Sequence, residues 1–305
     1  MKLLTFSWQN QQLVGLLGVD EQTVIPLQSI ADKYLPQLKL PSTLLGIIQA
    51  GEECWQVVKQ LQQKVDLIAD QELLLALEDV EILAPIPKLA RNIFCVGKNY
   101  RAHVLEFDKN LLDKNPIPQH PVIFTKATNT VIGTKTTVQA HKEVTSRLDY
   151  EAELAIVIGK TGKNISKEQA WEHIFGYTAL NDVTARDLQK KHAQWFLGKS
   201  LDTFAPMGPV ITTKDEITDP HNLQVRCRIN GELRQNGNTK DFIFDIPTII
   251  ACISAGMTLE AGDIIATGTP DGVGIGFNPY KFLQSGDIME VEIPGIGRLI
   301  NVIGD

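Results

Sequence analysis

The segment Asp149-Tyr150-Glu151-Ala152-Glu153-Leu154-Ala155-Ile156-Val157-Ile158-Gly159 constrains the fold more than any other stretch of the chain. Its apolar run reads as a strand. Side chains alternate along a strand, so Glu151 and Glu153 share one face while Tyr150, Ala152, Leu154 and Ile156 share the other. Two carboxylates on one face repel each other unless something neutralises them, and a divalent cation with oxygen ligands does this economically. Standing alone, such a pair more often marks a solvent-facing acidic strand edge.

The rest of the chain supplies a strand-rich setting. At 305 residues there is room for two domains. Short apolar segments at Leu3 to Phe6, Leu13 to Val19 and Thr23 to Leu27 resemble a β-meander. Helical stretches follow, one opened by Ser42 and one from Cys54 to Gln71. The Ala84-Pro85-Ile86-Pro87 segment is the expected linker, dividing a small N-terminal α+β domain (1–85) from a larger domain (86–305). Beyond it, strand-like runs, many glycines and only two or three helices (after Asn99, around Glu168 to Phe175, around Thr184 to Gln194) give a β-rich α+β domain without βαβ alternation.

Composition excludes several function classes. A formal net charge of -7 argues against a nucleic-acid surface. No apolar run approaches the roughly 20 residues that span a bilayer, and the N-terminus turns polar at Ser7-Trp8-Gln9-Asn10 before a secretory core can form. Cys54, Cys95, Cys227 and Cys252 form no C-x-x-C pair and read as reduced thiols, so a soluble cytoplasmic protein is expected.

Further clusters carry chemistry. Phe175 to Asp182 reads as a strand ending in a carboxylate beside a helix start, well placed to complete a hard-cation site with Glu151 and Glu153. The helix beginning near Thr184 presents Arg186 and Gln189 on one face. In Gly97-Lys98-Asn99-Tyr100-Arg101-Ala102-His103-Val104-Leu105-Glu106, Asn99 can cap a helix on which His103 and Glu106 face the same way. A histidine held by a carboxylate suits acid-base work near neutral pH. Lys199 sits in Gly198-Lys199-Ser200-Leu201-Asp202, and Thr267 to Gly274 is a glycine-rich turn without the Gly-Lys-Ser/Thr end of a P-loop.

Taken together and in this order, these motifs, with the closing Gly286-Asp287, Val291-Glu292-Ile293 and Gly297, resemble the fumarylacetoacetate hydrolase family over roughly residues 90 to 303. The resemblance implies a mixed-sheet, barrel-like β-roll catalytic domain that forms a homodimer. It implies Mg²⁺, with Mn²⁺ or Ca²⁺ as substitutes, held by Glu151, Glu153 and Asp182. It casts His103 with Glu106 as the group that activates water or shuttles a proton, Lys199 beside the metal, and Arg186, Gln189 and Thr269 on substrate oxygens. The expected substrate is a small anionic oxoacid. Cleavage of an acylpyruvate to pyruvate and a carboxylic acid comes first, and oxaloacetate decarboxylation or decarboxylation and isomerisation of an oxo-diacid second. An inactive ion-binding module is the out-of-class alternative, against which His103, Glu106 and Lys199 speak. Two segments depart from the pattern: Phe124-Thr125-Lys126-Ala127-Thr128, where relatives often have Leu-Lys-Pro-Ser, and a long, Pro-broken stretch from Phe107 to Pro118 suited to a cover.

Overall fold

The computed structural model describes residues 1–66, 71–107 and 117–305. The N-terminal strands are β1 (Lys2–Trp8), β2 (Gln11–Leu17), β3 (Thr23–Pro26), β4 (Leu75–Ala76) and β5 (Glu81–Ile82). Helices α1 (Leu27–Tyr34), α2 (Leu44–Gln49) and α3 (Gly51–Asp66) come between β3 and β4 in the chain. Next come β6 (Ile93–Gly97), α4 (Arg101–Phe107), β7 (Val122–Lys126), β8 (Val131–Ile132), β9 (Thr137–Gln139) and β10 (Leu148–Asp149). The central strands are β11 (Ala152–Ile158) and β12 (Ile174–Asn181), followed by β13 (Thr184–Ala185), α5 (Arg186–Lys191), α6 (Phe196–Lys199) and β14 (Ala205–Thr213). The chain closes with β15 (Gln224–Ile229), β16 (Glu232–Asn238), α7 (Ile246–Ser254), β17 (Ile264–Ala266), β18 (Ile288–Ile293) and β19 (Gly297–Gly304).

This is the strand-rich, mixed-sheet α+β architecture that the sequence leads one to expect. One large sheet runs β4-β3-β2-β1-β14-β12-β11-β17-β6-β7, with a second sheet ordered β16-β15-β18-β19-β9. Most pairs are antiparallel, while β17 runs parallel to β6, β8 to β14 and β19 to β9. β11 lies inside the large sheet and every residue of it is buried. Its Leu154, Ile156 and Ile158 enter one apolar cluster, while Ala155 and Val157 enter the other. Burial on both faces explains the unbroken apolar run. Each large side chain contributes roughly 1.5–3 kcal/mol to holding the strand in place.

The sheet continues across the segment expected to be a linker. β1 pairs with β14 (Lys2↔Thr212, Leu3↔Ile211), and Ala84, Pro85 and Ile86 are buried. The Thr5 hydroxyl donates to the Pro85 carbonyl at 2.7 Å. That segment is therefore packed against the N-terminal strands.

Three local expectations are corrected. The helix expected from Glu168 to Phe175 is a 3₁₀ turn, Ala170–His173, leading into β12. The β11 ladder, from Ile158↔Ile174 to Ala152↔Asn181, takes the backbone groups that a helix would use. The helix expected from Thr184 starts at Arg186, because Thr184 and Ala185 pair with Asp149 and Leu148. Asn99 caps nothing of α4 in the expected manner: its amide donates to the Phe244 and Thr267 carbonyls, and its oxygen accepts from the Phe244 N–H. Helix α7 is an addition, opened by Asp245 accepting from the Thr248 N–H at 2.8 Å. No described helix is long and apolar enough to cross a membrane, and the four cysteines are free thiols.

Candidate active site

The centre of the site is set by the register of β11 and β12. Ala152 pairs with Asn181, so Glu151 and Asp182 lie side by side at the ends of adjacent strands. The Asp182 N–H donates to the Glu151 carbonyl at 2.8 Å, and the Asn181 side-chain oxygen accepts from the Glu151 N–H at 3.0 Å. Glu153 follows one pleat further on. One ligand oxygen each from Glu151, Glu153 and Asp182 lies within 4.8 Å of the other two, and all three residues are buried. An octahedral Mg²⁺ with bonds of about 2.1 Å places its oxygens roughly 3 Å apart when adjacent and about 4.2 Å when opposite. The three carboxylates fit such an ion with little closing.

Three buried cations surround this group. Lys199 donates to Glu151 at 2.9 Å and to Asp182 at 2.6 Å. Arg186 reaches Glu151 at 2.7 Å and Asp149 at 2.8 Å. Lys126, fully buried, donates to Asp182 at 2.7 Å, to the Val183 carbonyl at 3.0 Å and to the Lys199 carbonyl. Counting Asp149, the cluster holds four carboxyl groups against these three cations, one negative charge in excess when all four are ionised. Burial alone would raise the Glu151 carboxyl, but Lys199, Arg186 and His103 outweigh it and hold it well below the ordinary carboxylate range. Glu153 goes the other way: burial, then Asp182 and Glu151, push its carboxyl well above the ordinary value. Two neighbouring carboxylates and too little positive charge are what a divalent ion would correct. With such an ion the excess becomes one positive charge, which suits an anionic substrate.

The histidine lies beside this cluster on α4. His103 Nδ1 and Glu106 Oε2 are 3.5 Å apart, and both side chains are largely buried. Glu106 is fixed from behind by the Gly272 N–H at 3.0 Å. A Cβ on residue 276 would come 1.8 Å from Glu106 Oε1, so glycine is needed there.

A cavity of about 510 Å³ brings the expected residues together. His103, Glu151, Glu153, Arg186, Gln189, Lys199 and Thr269 line it, with Asp182 just behind Lys199 and Glu106 set back from it beside His103. Gln189 accepts from Arg186 at 3.2 Å. The Thr269 hydroxyl is engaged in the framework, donating to the Ala152 carbonyl at 2.9 Å and accepting from Gln235 at 2.8 Å. Trp195 and Phe124, in edge contact at 5.2 Å, form an apolar wall, and Gly97 leaves room for the indole. The cover expected between Phe107 and Pro118 falls mostly on 108–116, outside the described residues.

Sequence reasoning treated Lys126 as part of a divergent loop and gave Asp149 no role. A lysine closing the apolar strand Val122–Lys126 was the available signal, once one asks what neutralises three carboxylates. The cavity's Lys98, Arg147 and Lys190 were also passed over; each lies in loop or short-helix sequence where exposed cations are ordinary.

Fold and site together present a buried three-carboxylate group that could hold a metal ion, with an adjoining His–Glu pair. The chain belongs to the fumarylacetoacetate hydrolase family: the profile of the fumarylacetoacetate (FAA) hydrolase C-terminal family matches residues 92–304. Among curated proteins it is 49% identical over 306 residues to oxaloacetate tautomerase YisK of Bacillus subtilis (strain 168), covering 100% of both chains. It is 41% identical over 292 residues to mitochondrial oxaloacetate tautomerase fahd2 of Xenopus laevis, covering 95% of this chain and 85% of that protein. Among solved structures it resembles the fumarylacetoacetate hydrolase EaFAH from psychrophilic Exiguobacterium antarcticum, with TM-score 0.81, 42% identity and coverage of 100% and 99%.

Proposed function

We propose that this protein is a divalent-metal-dependent oxaloacetate keto–enol tautomerase. The supporting observation is that a buried three-carboxylate group and a His–Glu dyad meet at one cavity, which Glu151, Glu153 and His103 line. The tautomerase names of relatives 49% and 41% identical to it point the same way. Tautomerisation moves one proton from the enol oxygen and adds one at the neighbouring carbon, so it needs an acid-base group and a site that tolerates enolate charge. When bound by Glu151, Glu153 and Asp182, Mg²⁺ would supply electrostatic stabilisation of that charge. Arg186 and Lys199 hold the carboxylates in place and add positive potential toward an anionic oxoacid. His103, with Nδ1 turned to Glu106, is the residue for the proton at carbon. Trp195 and Phe124 limit water on one side of the cavity.

Acylpyruvate hydrolysis, which the sequence reading placed first, becomes the second reading. It uses the same enolate with an added water attack, and the likeness to the fumarylacetoacetate hydrolase EaFAH favours it. The two are separated by one set of assays. Freshly dissolved enol-oxaloacetate is followed by loss of its enol ultraviolet absorbance with Mg²⁺, against chelator and heat-denatured protein, while pyruvate release from oxaloacetate and from acetylpyruvate is followed in parallel. Ketonisation well above the controls without pyruvate release is the expected result. Rapid acetylpyruvate cleavage without accelerated ketonisation would overturn the first reading in favour of the second.

A further inference from the structure

Asp149 does not line the cavity, yet it touches both halves of the site. It is completely buried at the end of β10, two residues before Glu151. One oxygen accepts from the Gly274 N–H at 2.6 Å and from the Tyr150 N–H at 3.0 Å. The other accepts from Arg186 Nε at 2.8 Å and from the Ile275 N–H at 3.1 Å. So a single carboxylate joins the guanidinium that holds Glu151 to two successive amides of the glycine-rich turn.

That same turn holds the dyad. The Gly272 N–H donates to Glu106, and Gly276 leaves the space that Glu106 enters. Tyr150 adds a second tie by donating its hydroxyl to the Gly272 carbonyl at 2.9 Å. The chain of contacts therefore runs Glu151, Arg186, Asp149, turn 272–276, Glu106, His103. We infer that Asp149 is a positioning residue: by clamping the 272–276 turn to Arg186, it fixes Glu106 and the His103 imidazole relative to the three-carboxylate group. Its requirement is specific. Both oxygens accept, so an amide in its place turns a donor toward Arg186 Nε or toward a turn amide. The inference rests on the reading that the His103–Glu106 pair moves the proton.

The test is a double-mutant cycle on the Mg²⁺-loaded full chain with enol-oxaloacetate, comparing wild type, Asp149→Asn, Glu106→Gln and the double variant. Misplacement on the ångström scale costs up to about 10²-fold, so Asp149→Asn should lower kcat by roughly 10- to 100-fold. KM and calorimetric Mg²⁺ affinity should stay within about threefold, because the metal ligands and Lys199 are untouched. In the Glu106→Gln background the same change should cost less than about threefold, since there is no longer an oriented carboxylate to lose. Losses that multiply, or an Asp149→Asn enzyme with wild-type kcat, overturn the inference. Should Asp149→Asn fail to fold, Gly274→Ala takes its place in the cycle, because a Cβ there would lie 2.5 Å from the Lys281 carbonyl oxygen and 2.6 Å from the Asp149 oxygen, so the turn must shift off both. A wild type without tautomerase activity, or a Glu106→Gln enzyme as active as wild type, would instead overturn the functional reading beneath it.

Discussion

Replacing Lys126 by methionine keeps the length and apolar stem of the side chain and deletes its charge. The ammonium is fully buried and donates to Asp182, to the Val183 carbonyl and to the Lys199 carbonyl, so three acceptors lose a donor at once. Burial and the nearby Lys199 act against the charge on Lys126 while Asp182 supports it, and its pKa lies below the ordinary lysine value. The pair is thus strained by desolvation, but removing one partner is worse than keeping both. Breaking a buried pair typically costs about 3–5 kcal/mol, because the remaining charge is left uncompensated. For a chain of this size each kcal/mol lowers Tm by roughly 2 °C, so the metal-free variant should melt about 6–10 °C below wild type. Differential scanning fluorimetry in chelator reads this directly. Addition of Mg²⁺ should narrow the gap, since the ion takes over part of the neutralisation of Asp182. A chelated Lys126→Met protein melting within about 2 °C of wild type would refute the assignment of Lys126 as the structural counter-ion of Asp182.

Other expected outcomes concern the metal, the dyad and the assembly. Glu151→Ala, Glu153→Ala and Asp182→Ala should each abolish Mg²⁺ binding in calorimetry; wild-type affinity in any two of them would move the site elsewhere. Glu153 keeps its proton above the ordinary carboxylate range when folded and releases it near the ordinary value when unfolded. The metal-free folded state therefore binds the extra proton in that window, so its stability should fall as pH rises through it, as chelated melting curves would record. Mg²⁺ must displace the same proton, so its affinity should rise with pH there, and titrations in buffers of different ionisation heat would expose the proton released. His103→Ala should lower turnover by about 10²–10⁴-fold with Mg²⁺ binding retained, which paired kinetic and calorimetric runs check. A homodimer is expected in solution, and light scattering at micromolar concentration showing a monomer would count against it.

What the sequence revealed, and what it hid, divides by the range of the interaction. The Glu-x-Glu strand was legible because period-two alternation is written into consecutive residues, and Asp182 because a carboxylate directly closes an apolar strand. The helical reading of Glu168 to Phe175 failed since nothing local announces that Ile174 will pair with Ile158. Asn99 was misread for a similar reason: a residue before a helix has a local use as a cap, but its partners, Phe244 and Thr267, lie more than a hundred residues away. Lys126 and Asp182 are 56 positions apart, and their pairing exists only because β7 and the end of β12 converge on one point. Charge counting, applied across motifs instead of within them, was the one signal that could have found Lys126.

The three carboxylates come from one antiparallel pair of strands inside the large sheet, whereas the cavity walls come from chain-distant segments around 97–104, 186–199 and 269–280. Changes to these parts have unequal reach. A one-residue slip of β11 against β12 would turn Glu153 away from its partners and dismantle the whole charge cluster. An exchange at Lys98, Trp195 or Tyr280 alters what the cavity admits and leaves that strand pair as it is. What the cavity admits can thus change through positions such as Lys98, Trp195 and Tyr280 with the carboxylate-bearing strand pair left intact, and exchanges at these positions should leave Mg²⁺ affinity in calorimetry unchanged.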